Sequence, residues 1–297
     1  SITMLQHMGD NELNALAGKY GNQVKAFIEV GLDEVNALAE AFSGLKEHGG
    51  GMDRDEVVAM LDKVILSGEM FIGGSTGWET DAFDGRDREF VNAPLHDQTG
   101  RFLPYIYKEG GKLKHDILEG YDVPGAGDYY LEPKRRGKAY VVPPYLYRVG
   151  SENVLMTSTC APVMVRGAFE GMFCLDIALS KLSEKINEIK PYNSGYAYLM
   201  TDSGHIVAHP VAEYVGKTLA DILPDPAEAE AVVAAMAKGA SFRREIDTGQ
   251  HGTGILSQFF PIAFGDTGQQ WYIAVCAPLA VFEADANRLS MGVVYMT

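Results

Sequence analysis

Between Leu5 and Leu45 the apolar positions are Leu5, Met8, Leu13, Leu16, Tyr20, Val24, Phe27, Ile28, Val30, Leu32, Val35, Leu38, Phe42 and Leu45. Most steps are three or four residues, so these side chains form a stripe along one helix face. The spacing predicts one long helix over 5–45, about 60 Å long at 1.5 Å per residue. Gly18, Gly21 and Gly31 leave open a chain of shorter helices, since each costs about 1 kcal/mol inside a helix. His48-Gly49-Gly50-Gly51 ends the run, and Asp53 or Asp55 can cap a second helix reaching about Ser67. From Met70 to about 150 the chain is rich in Gly, Asp and Tyr and reads as short strands with long connections. Val154–Val163 and Phe169–Ala178 are clear strands, with Arg166-Gly167 as the hairpin turn between them. Leu179–Ile189 is helical and stops at Pro191.

A second unit follows. Tyr196–Met200 and His205–His209 are strands around the turn Asp202-Ser203-Gly204. Pro226–Lys238 is an Ala/Glu helix. Phe242–Ile246, Gly254–Ala263 and Gln270–Ala277 read as three antiparallel strands. Pro278 fits the first turn of a last helix with Leu279, Phe282, Ala286 and Leu289 on one face. Each half thus ends in a strand hairpin followed by a helix, a loose internal echo.

Composition narrows the function. Of 297 residues, 46% are hydrophobic and 22% charged, as in ordinary globular chains. Asp and Glu outnumber Lys and Arg by 40 to 25, so a net charge of −15 repels phosphate backbones and argues against nucleic-acid partners and a basic membrane-binding helix. No apolar run reaches the roughly 18–20 residues of a membrane helix, and no signal-peptide pattern opens the chain. Starting without Met and stopping at Tyr295-Met296-Thr297 in mid-pattern, it reads as an excised fragment. Three cysteines make no disulfide framework.

Gly100-Arg101-Phe102-Leu103-Pro104-Tyr105, Tyr121-Asp122-Val123-Pro124-Gly125-Ala126-Gly127-Asp128-Tyr129-Tyr130, Pro144-Tyr145-Leu146-Tyr147, Ala161-Pro162-Val163 and Gly171–Leu179 occur in this order, followed by Gly195-Tyr196-Ala197-Tyr198-Leu199 and His209-Pro210. In that order and spacing the chain resembles the double Cache sensor domain of bacterial methyl-accepting chemotaxis proteins and related membrane receptors. The resemblance implies an α+β fold: a long N-terminal helix (1–48), a membrane-distal, ligand-binding, PAS-like antiparallel-sheet subdomain (49–180), a membrane-proximal one (181–278), and an exit helix toward a second membrane span (279–297). It further implies a receptor of the cell inner membrane with this part periplasmic. Such a receptor would be a homodimer at full length, and the isolated domain mostly a monomer. The partner would be a small molecule, with no enzyme activity, cofactor or metal.

Asp176 leads the candidate site. Along its strand Phe173, Leu175 and Ile177 point one way and Cys174, Asp176 and Ala178 the other. The apolar set should face a helix, which leaves the carboxylate on the opposite sheet face, where it needs a cationic partner. A ligand ammonium would supply one; an arginine pair or a surface position is the bland reading. Tyr105 and Tyr145 match family positions that line the pocket, and their rings would attract a cation. Tyr121, Asp122, Tyr129 and Trp78 are further candidates, although core filling accounts for part of the tyrosine cluster. Amino-acid-binding members of the family carry a Tyr, then an Arg five residues later, then Trp-Tyr after one spacer. Aligned on Pro104, this chain has Gln98, Leu103, Tyr105 and Ile106 there, so the carboxylate-clamping Arg is missing. Arg101 shares a strand face with Leu103 and is its possible substitute. The pattern suits an amine or quaternary ammonium ligand better than an amino acid; the same fold binding an amino acid or a small organic acid is the alternative.

Enzyme signals are poor. Gly73-Gly74-Ser75-Thr76-Gly77 has the G-x-S-x-G form, but turn residues rather than a helix follow it. A Ser75 hydrolase and a soluble solute-binding protein are the alternatives from other classes. His205 and His209 lie on a strand, not on a helix as in a zinc site, and Gly125-Ala126-Gly127-Asp128 lacks the rest of a dinucleotide fingerprint. Cys160 and Cys174 fall opposite each other across the hairpin; a disulfide is one reading, two buried thiols the preferred one.

Overall fold

The computed structural model describes residues 2–247 and 254–294. Helix α1, Ile2–Glu47, is continuous. Leu13, Ala17, Val24, Ile28, Leu32, Val35, Ala39 and Phe42 are its buried stripe, whereas Val30 and Leu45 of the predicted stripe are exposed. Two compact units divide the chain: a first unit of residues 27–178 with 264–269, and a second of residues 1–26, 179–263 and 270–297. The long helix therefore contributes to both.

In the first unit α1 is followed by α2 (Arg54–Ser67), β1 (Gly73–Trp78), β2 (Pro104–Glu109), β3 (Lys112–Ile117), α3 (Asp128–Arg136), β4 (Tyr140–Val141), β5 (Tyr145–Val149), β6 (Glu152–Val165) and β7 (Ala168–Ala178). The seven strands form one sheet of order β3-β2-β1-β7-β6-β4, with β5 also on β6. The strand pairs are antiparallel. One sheet face takes the helix: Phe173 of β7 lies 5.1 Å, ring to ring, from Phe42. Three turns earlier, Gly31 lets the helix approach closely, because a Cβ there would stand 2.8 Å from the Thr159 hydroxyl and 3.2 Å from the Phe71 ring. The glycine that weakens the helix locally is thus what lets it seat on the sheet.

The Gly73–Gly77 string, weighed in sequence as a nucleophile motif, lies on a strand inside this sheet. It pairs with β2 on one side and β7 on the other. Glycine lowers strand propensity, but here neighbouring backbones come too close for larger side chains.

Cys160 and Cys174 are joined in a cross-strand disulfide, which corrects the preferred reading of two thiols. They are direct partners in the β6–β7 register with Cα atoms 4.2 Å apart, the close approach of a pair that does not exchange backbone hydrogen bonds.

The second unit holds α4 (Leu179–Asn187), β8 (Tyr196–Thr201), β9 (Ile206–Ala208), α5 (Leu219–Ile222), α6 (Pro226–Met236), β10 (Phe242–Ile246), β11 (Ile255–Ala263), β12 (Gln270–Pro278) and α7 (Leu279–Val294). Its five-stranded sheet has the order β10-β11-β12-β8-β9, with every pair antiparallel. Asp225 caps α6 by accepting from the Ala227 N–H at 2.9 Å. Pro278 closes β12, and α7 starts one residue later, at Leu279. Of the predicted exit helix 279–297, residues 295–297 lie outside the described residues. Among the described residues no helix is long and apolar enough to cross a membrane.

Candidate ligand site

The predicted alternation along β7 places Asp176 on the sheet face opposite Phe173. Asp176 is buried, at 3% exposure. Its register partner on β6 is Ser158, whose hydroxyl donates to Asp176 Oδ1 at 2.6 Å. The Tyr145 hydroxyl lies 2.6 Å from the same serine oxygen. On the other side the partner of Asp176 is Gly73, and two residues along β1 Ser75 pairs with Tyr105. A Cβ at Gly73 would stand 3.2 Å from Tyr105 Oη. The missing side chain therefore opens the gap through which Tyr105, two strands away, leans toward Asp176. Its hydroxyl is near enough to help hold the carboxyl down, yet it makes no hydrogen bond of good geometry and is buried without a partner.

Four tyrosines build the wall. Tyr145 and Tyr147 alternate with exposed Leu146 and Arg148 on β5, so both rings point inward. Tyr105 meets Tyr147 edge to face at 4.9 Å, and Tyr129 of α3 meets Tyr147 at 5.7 Å and Tyr145 at 6.3 Å. Two of the hydroxyls are tied back to one loop: Tyr129 donates to Glu119 O at 2.6 Å, and Tyr147 accepts from Glu119 N at 2.9 Å. With Ser75, Leu118 and Asp176 the four rings line one tight, side-chain-filled space.

The electrostatics follow from burial. Loss of water pushes the Asp176 carboxyl up to about 6, against the lowering pull of the Ser158 and Tyr105 hydroxyls. Burial also raises the Tyr105, Tyr129, Tyr145 and Tyr147 phenols, so all four stay neutral donors. No Lys, Arg or His is among the residues lining this space.

Of the eight residues predicted from sequence, Asp176, Tyr105, Tyr145 and Tyr129 come together here. The other four lie elsewhere. Trp78 is on the other face of β1, its indole N–H donating to Thr76 Oγ1 at 2.9 Å and its ring against Phe42 and Phe83. Arg101 is held by Trp78 O at 2.8 Å and the Tyr130 hydroxyl at 2.9 Å, with Glu79 at 3.4 Å, and its guanidinium lies 4.8 Å from the Tyr121 ring centre. Tyr121 donates to Asp97 at 3.2 Å, and Asp122 is exposed. Leu103 is fully buried. Sequence reasoning missed Ser158 and Leu118 and left Tyr147 among the general cluster. The alternation Tyr145-Leu146-Tyr147-Arg148 was the available signal for Tyr147. Among the described residues no cluster of His, Cys, Asp and Glu could hold a metal ion.

The Cache domain family model matches residues 10–286. The methyl-accepting chemotaxis protein TlpQ of Pseudomonas aeruginosa is 26% identical over 204 residues, 63% of this chain and 28% of that protein. PctB, another methyl-accepting chemotaxis protein of that organism, is 26% identical over 160 residues, 54% of this chain and 23% of that protein. The chain thus spans about a quarter of the length of these curated relatives. Among solved structures, the extracellular domain of mmHK1S-Z3, named as a histidine kinase, has a TM-score of 0.83 at 28% identity, covering 95% of this chain and 98% of that one. The ligand-binding domain of PctB in complex with L-Arg shares the fold, with a TM-score of 0.62 at 19% identity over 91% of this chain and 95% of that one.

Proposed function

The chain belongs to the Cache domain family, and from that premise we propose that it is the extracytoplasmic sensing part of a transmembrane chemoreceptor or related receptor, with an amine or quaternary ammonium ligand bound in the Asp176 pocket of its membrane-distal unit. The family is one of non-enzymatic signalling, and Ser75 lies on the pocket wall as a strand residue rather than at the head of a helix. The Cys160–Cys174 disulfide fits an oxidising, extracytoplasmic compartment.

One observation carries the ligand class: a buried carboxylate ringed by four neutral tyrosines, with no cation on the lining. An ammonium group supplies the absent charge, lowers the Asp176 pKa and gains about 0.5–2 kcal/mol from each π face it meets, and a protonated amine also gives the Tyr105 hydroxyl an N–H to accept from. An amino acid brings a carboxylate as well, whose desolvation must be repaid by a cation. The family position for that cation is Leu103, and Arg101 is engaged with Trp78, Tyr130 and Glu79. The second reading, an amino acid, is favoured by the L-Arg that PctB holds in the same fold.

Calorimetric titration with choline, isobutylamine and valine separates the two. Choline or isobutylamine should bind at least tenfold tighter than valine, the amino acid whose decarboxylation gives isobutylamine. Valine binding as tightly or tighter overturns the amine reading and makes Arg101→Ala the next variant.

A further inference from the structure

The second unit contains a cavity of about 380 Å³ that the site above does not use. Residues of β8, β10, β11 and β12, of α5 and of the segment after β9 line it. Tyr196 and Tyr198 alternate along β8 and stack at 6.4 Å, and His209, just past β9, packs 5.2 Å from Tyr198 and 4.9 Å from Tyr214. Ile255 and Ser257 of β11 close another side. Among the described residues no Asp, Glu, Lys or Arg is on the lining.

His209 gives the cavity its polarity. It is 6% exposed, and its Nδ1 accepts the Val211 backbone N–H at 2.9 Å. A backbone N–H can only donate, so Nδ1 carries no proton and the neutral ring holds its proton on Nε2. Burial reinforces this by pushing the imidazole down to about 4. Among the described residues no group accepts from that Nε2–H, in a ring that borders the cavity. The residue that could have brought charge is Cys276, beside Ser257 with Sγ 3.3 Å from its hydroxyl, and burial pushes that thiol up to about 12.

We propose that this cavity is a second ligand site, for a small uncharged aromatic or branched aliphatic molecule whose oxygen accepts the His209 Nε2–H. The tyrosine rings and the Ile255 side supply apolar contact. An ion of either sign is excluded, because the lining offers it no counter-charge and desolvation would be uncompensated. The volume falls in the usual range for small-molecule pockets.

The test uses the histidine ring as a local reporter, which keeps it independent of the Asp176 pocket. Acetophenone, benzoate and benzylamine share a ring and differ in charge. In nitrogen–proton NMR of the imidazoles, with the His209 signal identified by its loss in His209→Phe, acetophenone should shift the His209 resonance saturably, with a sub-millimolar Kd. The two ions should need at least tenfold higher concentration. Val211→Trp, which narrows the cavity from its half-exposed rim, should weaken acetophenone at least tenfold. If circular dichroism shows that variant unfolded, His209→Phe takes its place and should weaken acetophenone about fivefold in a thermal-shift titration. No saturable shift at His209 overturns the site, and so does acetophenone affinity that Val211→Trp, or His209→Phe in its place, leaves unchanged. Benzoate or benzylamine matching acetophenone at His209 overturns the ligand class.

Discussion

Asp176 stands three residues before the first residue of the helix after β7, and Cys276 stands three residues before the first residue of the helix after β12. Each has a serine as register partner on one neighbouring strand, Ser158 for the aspartate and Ser257 for the cysteine. On the other neighbouring strand the two units differ. Gly73 and Ser75 flank β7 where Tyr196 and Tyr198 flank β12. In the first unit the small residues leave room for tyrosines from β2, β5 and α3 to close over a carboxylate. In the second, the tyrosines stand on the strand beside the thiol and border a larger, uncharged cavity. Exchanging small for aromatic residues on one strand, and acid for thiol on the next, thus gives one acidic and one uncharged pocket on similar local frames.

Removing the charge should produce the largest effect. Asp176→Asn keeps the shape and leaves a ligand ammonium without its counter-ion, a loss of about 2–5 kcal/mol, or about 30- to 5,000-fold in affinity. The His209 resonance and its response to acetophenone should not move, because the variant touches only the first unit. Unchanged affinity for choline or isobutylamine in calorimetry would take Asp176 out of the site.

Acid should push the two units in opposite directions. Asp176 titrates at about 6 when folded, above its ordinary 3.8, so the folded first unit holds the extra proton between those values. Its stability falls as pH rises through that window, by about 3 kcal/mol in all. His209 titrates at about 4 when folded against an ordinary 6.5, so the unfolded chain holds the extra proton. The second unit therefore keeps its full contribution from His209 above about 6.5 and loses about 3 kcal/mol as pH falls toward 4. Hydrogen exchange followed separately in β7 and β9 at pH 4.5 and 7.5 checks both signs. Asp176→Asn should flatten the first response and His209→Phe the second. Parallel responses in wild type would show that these groups do not set the difference.

The disulfide is the next handle, because it lies in one unit only. Its cysteines are 14 residues apart, and closing a loop of that size contributes about 3 kcal/mol. Cys160→Ala with Cys174→Ala should lower the unfolding midpoint of the first unit, while Cys276→Ala, which breaks no cross-link, should have a smaller effect. Equal losses in thermal melts would contradict the assignment.

Self-association should be the smallest effect. We expect α1 to pair only weakly with its copy outside the intact receptor, so sedimentation should give mostly monomer at micromolar concentration. A tight dimer there would mean that the isolated chain carries the interface itself.

Much of the fold was legible because its signals are local. The three-to-four spacing of α1, the alternation of β6 and β7 and the hairpin turn each depend on residues a few positions apart, and so does the side of β7 on which Asp176 projects. The α+β class, the two sheets and the ionic character of the first pocket follow from such patterns together with the family resemblance. β1 escaped notice because Gly73-Gly74-Ser75-Thr76-Gly77 carries no alternation; its place is set by pairing with β2 and β7, whose backbones leave no room for a Cβ at Gly73 or Gly74. Which tyrosines meet Asp176 was therefore open until the register was known. Tyr105 reaches it over Gly73, Tyr145 through Ser158, and Tyr129 from a helix. Trp78, three residues after Ser75 on the same strand, faces the opposite side. Arg101 is drawn to Glu79 and Tyr130 by the loop that carries it. Periodicity decides which way a side chain points from its own strand; cross-strand register and loop closure decide what it meets, and only the folded chain brings those distant segments together.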